Sequence, residues 1–381
     1  MMKNIVQLKN YISEYCVRNK NDESIPVYSV TNDMGFCTDY FNKEVASKDK
    51  TTYKIVPRGF FAYNPSRINV GSVDWQRQED RVIVSPLYVV FKVSPMLDQQ
   101  YLLYYLKSEI TLNYIRAYAT GSVRDNLKFR TLQEFPINLC SIEEQRDIVK
   151  KLDFVDSLIT ARREQLAKLD ELVKSRFIEM FGTTGKQVPL TEYVWFQEGP
   201  GVRSVDFVDE GTILLTGSNI NDNAISFGHK SDRHISEELA TGKYAHFMCD
   251  KDDILVVSSA IDPDKFDKKV VLVDVDDKYC LNTGIIRFKP NKQYLTIGYF
   301  REFLKTDYFK RQVSSEMRGI AQMHFGPSHL KQMTILLPDS IERQVEFEVF
   351  VQQTDKSKFE IQKSLEKLET LKKALMQKYF G

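Results

Sequence analysis

Cysteine is scarce and scattered: Cys16, Cys37, Cys140, Cys249 and Cys280 are odd in number and form no Cys-x-x-Cys pair. That pattern argues against a disulfide framework and a structural zinc, and for a reducing cytoplasm. No apolar run approaches the roughly 18 residues of a membrane span, and the opening MMKNIVQLKNYISEY has no signal-peptide core. A G-x-x-x-x-G-K-[ST] loop is missing, which argues against a P-loop NTPase. GPG at 199–201 is too short for a glycine-rich cofactor turn and carries a rigid proline. Histidine occurs five times, at 229, 234, 246, 324 and 329, and the two i, i+5 pairs do not suit a metal shared on one helix face. NPSR at 64–67 starts like the N-P-P-aromatic signature of amino-methyltransferases but lacks the second proline and the ring. DPDKFDKK at 262–269 superficially contains a PD…D-x-K nuclease pattern. Its two intervening residues cannot supply the turn between two strands, so it reads as a polar loop. An excess of one charge is lacking too: 53 Lys and Arg stand against 52 Asp and Glu. Residues 1–140 carry a net +4, 141–182 a net −1, 183–339 a net −3 and 340–381 a net +1. Any positive surface must therefore be local. The residues argue for no catalysis, and no metal site is expected.

What is present is repetition. SIEEQ at 141–145 returns as SIERQ at 340–344, and the block 141–182 lies over 340–381 without a gap. Internal repetition dictates architecture, and two copies of about 190 residues far exceed a solenoid period. GSVRDNLKFRTLQEF (121–135) corresponds to GIAQMHFGPSHLKQM (319–333) at an offset of 198. Further upstream the match becomes shared layout: a loop-bearing segment (58–72 and 252–266), a β-rich run (82–93 and 280–290), then a helical stretch (101–110 and 294–304). The length of 381 residues suits two halves, each with its own core.

Both repeated blocks read as long helices of about 60 Å, free of proline and of glycine before Gly182 and Gly381. Ser141 is the candidate N-cap of a capping box with Glu144; Ser340 can cap without the second half of the box. Ile148, Leu152, Val155, Ile159, Leu166, Leu169, Val173 and Met180 form one apolar stripe. Phe347, Val351, Ile361, Leu365, Leu368, Leu375 and Tyr379 form the other, with Thr354 and Lys358 as polar gaps. Stripes near a 3.5-residue repeat favour a coiled coil, and two copies in one chain can pair with each other. The expected fold is α+β. It comprises two globular domains in tandem (1–140 and 183–339), each followed by a long helix (141–182 and 340–381), the helices pairing as an antiparallel coiled coil with pseudo-two-fold symmetry.

This arrangement resembles the specificity subunit of type I restriction-modification systems. The resemblance is carried by FPINLCSIEEQRDIV (135–149) and ILLPDSIERQVEF (335–347), which look like that family's P-L-P-P-x-x-E-Q helix start. The first copy has Asn-Leu-Cys where Leu-Pro-Pro is usual. YKIVPRGFFAYNPSRINVGS (53–72), ATGSVRDNLKF (119–129) and LLTGSNI (214–220) look like elements of its target-recognition domains. The resemblance spans essentially the whole chain, and implies two target-recognition domains that each read one half of a split double-stranded DNA sequence. The helical pair would act as a spacer ruler and dock two methyltransferase subunits; motor-nuclease subunits would cleave unmodified DNA. It implies no cofactor here, S-adenosylmethionine belonging to the methyltransferase subunit, no membrane, and a cytoplasmic location. Half-site centres are expected near one helical turn, about 34 Å, or a related phase apart.

Arg, Asn, Gln, Ser and Thr are the side chains that read base edges in the major groove. The candidate DNA-binding residues are Asn64, Arg67, Asn69, Arg77, Gln78, Arg124, Asn126, Lys128 and Arg130 in the first half. The second half offers Ser218, Asn219, Ser258, Ser259, Lys265, Lys268, Arg318, Gln322 and His324. If 124–130 is a strand, Arg124, Asn126, Lys128 and Arg130 share one face. Two competing readings are a coiled-coil scaffold with two protein-binding heads, which predicts no salt-sensitive DNA binding, and a stand-alone restriction enzyme. The enzyme would need several hundred more residues for its catalytic domains.

Overall fold

The computed structural model describes residues 4–38, 49–118, 126–182, 185–228, 230–315 and 324–381. The chain forms two compact units, residues 1–164 with 362–381, and residues 165–361. Two long helices, Ile142–Met180 and Ile341–Phe380, occupy the repeated blocks. Each starts on the expected serine: Ser141 Oγ accepts from the Glu144 N–H at 3.2 Å, and Ser340 Oγ from the Arg343 N–H at 3.3 Å. Gly182 closes the first helix with φ +54°, a left-handed conformation that a side chain would disfavour.

Within each unit the two helices run antiparallel. In the first, Asp156 pairs with Lys372 at 2.6 Å and Arg163 with Glu369 at 2.8 Å. In the second, Asp170 pairs with Lys358 at 2.6 Å and Arg176 with Glu346 at 3.0 Å, while Arg343 donates to the Met180 carbonyl at 2.7 Å. Such exposed pairs set register more than stability. Ile148, Leu152, Val155, Ile159, Val173 and Leu365 are buried, whereas Leu166, Leu169, Ile361, Leu368 and Leu375 are half-buried.

Both units share one scaffold. In the first, an antiparallel sheet runs in the order Ile12–Glu14, Val89–Val93, Phe61–Tyr63, Val73–Trp75. The second repeats it as Val194–Glu198, Ile285–Pro290, Ile254–Val257, Val270–Leu272. A two-stranded ladder leads into each long helix: Ile5–Gln7 with Pro136–Asn138, and Lys186–Pro189 with Thr334–Leu337. The additions differ. The first unit has the pairs Ser29–Thr31 with Gly35–Cys37 and Lys54–Pro57 with Arg81–Val84. The second has a four-stranded sheet in which Thr212–Leu215 pairs in parallel with Tyr279–Leu281.

The glutamine of the repeated pentapeptide holds this scaffold to the helix. Gln145 is fully buried; its carbonyl accepts from the Asp98 N–H at 2.8 Å, and its amide donates to the carbonyls of Met96 (3.0 Å) and Cys140 (2.9 Å). Gln344, equally buried, accepts from the Thr296 N–H and donates to the Tyr294 carbonyl, both at 2.9 Å. Asp98 and Thr296 are in turn the N-caps of the short helices Gln99–Leu106 and Ile297–Phe303. Tyr101 and Tyr299, three residues further on, donate through their hydroxyls to the carbonyls of Asn138 (2.8 Å) and Leu336 (2.6 Å), just before the long helices. Around this joint the apolar core closes: Phe380 packs at a tilt on Tyr101, ring centroids 5.0 Å apart, in the first unit, and in the second Phe177 and Phe181 pack on Tyr299 and on Phe347.

Two local expectations are corrected. Residues 128–130 are not a strand: Lys128 is the N-cap of a short helix, Phe129–Gln133, which contains Arg130. Phe129 and Leu132, three apart, both turn into the core, and that 3.6-residue spacing overrides the alternation of charge. The segment read as a polar loop at 262–269 contains a 3-10 helix, Pro263–Lys269, anchored by the fully buried Phe266. All five cysteines are free, and among the described residues no His, Cys, Asp or Glu group could hold a metal ion. Also among the described residues, no helix is long and apolar enough to cross a membrane.

Candidate nucleic-acid interface

In the first unit the strand Phe61–Tyr63 ends in the loop that carries Asn64, Arg67 and Asn69. Asn64 Oδ1 accepts from the Ser66 N–H (3.1 Å) and Ser66 Oγ (2.9 Å), so the side chain shapes its own turn. Leu127, buried below it, donates its N–H to the Pro65 carbonyl at 3.1 Å, and Tyr63 donates its hydroxyl to the Leu127 carbonyl at 3.1 Å. The loop and the 126–128 segment are thereby tied together. Asn64, Arg67 and Asn126 line one open pocket of about 370 Å³ with Ser29, Thr31 and Asn32. Arg67, Asn126, Lys128 and Arg130 are exposed and Asn69 is half-buried.

Arg77 and Gln78 sit elsewhere. Strands Phe61–Tyr63 and Val73–Trp75 pair with Tyr63 opposite Val73 and Phe61 opposite Trp75. The Asn64 loop therefore leaves one end of this pairing and Arg77 the other. Arg77 is a held guanidinium: it lies 4.5 Å over the Trp75 ring, pairs with the buried Asp74 and reaches Gln100. Gln78 donates to the Phe36 carbonyl at 3.3 Å and is otherwise exposed. Trp75 was not among the candidates, although strand alternation puts residues 75 and 77 on one side. Lys107, near this site, has its ammonium held below the usual lysine range, chiefly by burial.

In the second unit the strand Ile254–Val257 ends at Ser258 and Ser259. Ser258 is buried with its hydroxyl unpaired, while Ser259 is half-buried and lies 3.0 Å from His324 Nδ1. Ser218 and Asn219 belong to a neighbouring turn, since Gly217 faces Val257 so closely that an added Cβ would lie 3.1 Å from it. Asn219 is buried and spent on the turn: Oδ1 accepts from the Thr216 N–H and hydroxyl, and Nδ2 donates to Ser226 and Asp232. Lys268 pairs with Asp222 at 2.9 Å and Lys265 with Asp262 at 3.4 Å, both remaining largely exposed.

The residue that joins these loops is Lys269, which the sequence does not separate from its neighbour Lys268. Its ammonium donates to the carbonyls of Gly217 (3.2 Å) and Ile220 (2.7 Å) and to Asn221 Oδ1 (2.6 Å). Burial lowers its pKa, with Asp222 acting in the opposite direction. Ser218, Lys268, Ser259 and His324 are thus presented from loops braced on one strand end. Arg124, Arg318 and Gln322 lie outside the described residues.

Among the described residues, each cluster presents amides, hydroxyls and cations on braced loops, side-chain types that can hydrogen-bond base edges.

The chain is thus a two-unit protein with a polar loop cluster at the corresponding strand end of each unit. Residues 4–171 match the family model described as the type I restriction modification DNA specificity domain. The chain is similar to the MjaVIII type I restriction enzyme specificity subunit of Methanocaldococcus jannaschii, with 23% identity over 277 residues. That alignment covers 68% of this chain and 64% of the relative, so the chain spans just under two thirds of the relative it matches. Among solved structures, it is similar to a chain from a type I R-M system described for its complex assembly and conformational transition. That match has a TM-score of 0.56 at 16% identity and covers 99% of this chain and 97% of the other. The S subunit from M. genitalium gives 0.53 at 17% identity, covering 100% and 96%. Residues 4–171 thus match a type I restriction-modification DNA specificity domain, and the whole chain shares the fold of the M. genitalium S subunit.

Proposed function

We propose that this chain reads a bipartite double-stranded DNA target, residues 1–140 and 183–339 acting as the two target-recognition domains. The observation that carries the reading is the repeated sheet order, with a braced polar loop cluster at the corresponding strand end of each unit. One scaffold copied twice, with different side chains on its loops, is suited to two different half-sites. The long helices 141–182 and 340–381 set the gap between the half-sites and dock two methyltransferase subunits. Those subunits methylate adenine with S-adenosylmethionine, and motor-nuclease subunits restrict unmodified DNA in the cytoplasm. Support for docking comes from the exposed apolar side chains on the helices, among them Phe154, Leu172, Ile178, Phe359 and Leu371.

The near-neutral chain fits a subunit whose partners supply part of the cationic clamp on the phosphates. Modified-base sequencing of the source genome with and without the gene tests the proposal. A split motif should lose its adenine methylation on deletion. Methylation unchanged in a strain with an active methyltransferase partner would move the scaffold reading to the front.

A further inference from the structure

We infer that Arg77 reads a guanine in the half-site of the first unit, through guanidinium N–H groups that its neighbours leave open. This rests on the DNA-reading proposal above. The guanidinium is built into a site. The buried Asp74 carboxylate pairs with it, Gln100 Oε1 accepts a second N–H at 3.4 Å, and the Trp75 ring centroid lies 4.5 Å away. Each of these partners is itself fixed. Asp74 accepts from the backbone N–H groups of Phe36 (3.2 Å) and Trp75 (2.9 Å), and Gln100 Oε1 from the Trp75 indole N–H (3.0 Å). Gly35 makes the room: it stands at φ +64°, and an added Cβ would lie 2.0 Å from Asp74 Oδ2. The buried Gln76 shapes the turn that follows, its Oε1 accepting from the N–H groups of Gln78 (2.7 Å) and Glu79 (3.2 Å). A guanidinium has five N–H donors, of which Asp74 and Gln100 engage two. The Arg77 side chain is 42% exposed, so an already ordered fork faces solvent with donors to spare.

A planar fork held in one direction matches the N7 and O6 acceptors of guanine in the major groove, whereas a phosphate asks chiefly for positive charge. Asp74 offsets that charge and fixes the direction, which favours a base over a phosphate. The second unit narrows the role further. Strand for strand, Asp74 pairs with Ala62 and Trp75 with Phe61, while Val271 pairs with Leu255 and Leu272 with Ile254. Asp274 then follows at the place of Arg77. The carboxylate, the ring and the guanidinium thus have no counterpart at this place in the second unit. A piece of the shared scaffold would be repeated, as Gln145 is in Gln344. A surface for the methyltransferase would be repeated too, since both units dock copies of one subunit. The half-sites are what the units need not share. Strands Phe61–Tyr63 and Val73–Trp75 pair over three residues, roughly 10 Å, or about three base pairs of rise. Arg77 and the Asn64 loop can therefore address different base pairs of one half-site.

The experiment uses the full-length protein in its native strain, with modified-base sequencing as readout. Arg77→Gln removes the charge and the fork and leaves an amide, which suits adenine. It should relax one G·C pair of one half-site or turn it toward A·T, with methylation of the original motif falling on the order of ten-fold. Arg77→Lys keeps the charge without the planar fork and should relax the same pair by a smaller factor. Neither variant should change the other half-site or the gap. An unchanged motif in Arg77→Gln overturns the inference. So does the pattern of a phosphate contact, in which Arg77→Lys is silent and Arg77→Gln lowers methylation without altering any base. An equal loss of all methylation in both variants, the mark of a docking or folding role, overturns it as well. Failure of the functional reading itself is distinguishable, because deletion of the gene would then leave every methylated motif intact.

Discussion

Positions 104 and 302 are the same place in the duplicated scaffold, yet one holds a phenol and the other a carboxylate. Tyr104 donates its hydroxyl toward Asp153 (2.6 Å) and Asp156 (3.0 Å) on the first long helix. Glu302 instead pairs with Arg301 at 3.2 Å and Lys305 at 2.9 Å, and Arg301 reaches Asp355, the repeat partner of Asp156, at 3.1 Å. The joint between short helix and long helix survives while its charges change partners. At the neighbouring glutamine the core of the bonding is kept: Gln145 and Gln344 each accept from the N-cap N–H of the short helix and donate to the carbonyl two residues before it, and Gln145 adds the Cys140 carbonyl. A buried amide with a backbone donor and acceptor on either side has no cheap substitute, whereas a contact between two side chains can be exchanged for another pair, as Tyr104 with Asp153 and Asp156 shows. The amide therefore persists through divergence and the ion pair does not.

The largest expected effect comes from breaking the shared clamp. Gln145→Leu strands the Asp98 N–H and the carbonyls of Met96 and Cys140, and should cost about 3 kcal/mol. Gln344→Leu strands one group fewer and should cost about 2 kcal/mol. Denaturant unfolding of the full chain measures each loss, and amide exchange localises it to the altered unit. A loss under about 0.5 kcal/mol, the scale of an ordinary surface substitution, in either variant would remove the clamp as the reason the pentapeptide is repeated.

A smaller effect separates the units by pH. Burial by itself would raise the Glu302 carboxyl, but Lys305 and Arg301 outweigh it and hold the pKa below the usual glutamate value. A lowered folded-state pKa contributes stability that is present above the unfolded value, about 4.3, and is lost as pH falls through the folded one. Burial raises the Tyr104 phenol, reinforced by Asp153 and Asp156, and pushes Tyr105 up to about 12. That stability is complete below the unfolded tyrosine value, about 10, and is lost as pH rises beyond it. Amide exchange in Ile297–Phe303 should therefore quicken first in acid, an effect that Glu302→Gln removes. Exchange in Gln99–Leu106 should quicken in alkali, an effect that Tyr104→Phe reduces. Because burial also raises Tyr299, the second unit keeps an alkaline limb of its own, shallower than that of the first. Identical acid profiles for the two helices would break the contrast.

How far these features were legible depends on whether their cause is local. The long helices and their serine caps could be read directly, because 40 residues without proline or glycine, an apolar stripe and S-x-x-E are local signals. The glutamine was visible as a repeated letter but not as a clamp, since its partners Met96, Asp98, Tyr294 and Thr296 lie 47 to 50 residues upstream. Residue type alone does not say that Arg77 leaves the opposite end of the strand pair from Asn64, or that Asn219 is consumed within its own turn. In the doublet 268–269 nothing local distinguishes the exposed lysine from Lys269, which braces three acceptors. At 128–130 two local patterns competed, alternating charge and the Phe129–Leu132 spacing, and burial of the apolar pair decided the outcome.

The smallest predicted effect sharpens the comparison at the two caps. Ser141→Ala and Ser340→Ala should each cost about 1 kcal/mol, the usual value of an N-cap hydroxyl. The two serines are not otherwise alike. Ser340 Oγ also donates to the Glu342 carboxylate at 2.6 Å, and this hydrogen bond holds that carboxyl below its usual range. Ser141 stands in a capping-box sequence with Glu144, whose N–H it accepts. Alanine at 340 should therefore return the Glu342 pKa toward the ordinary glutamate value while exposing the first turn of its helix to exchange. Alanine at 141 should expose the first turn without a comparable carboxyl shift. NMR titration of side-chain carboxyls in the full chain, read beside amide exchange of Glu144 and Arg343, distinguishes the two. If Glu342 does not move on removal of the Ser340 hydroxyl, that serine acts on the backbone alone, and the two caps are equivalent in mechanism as well as in sequence.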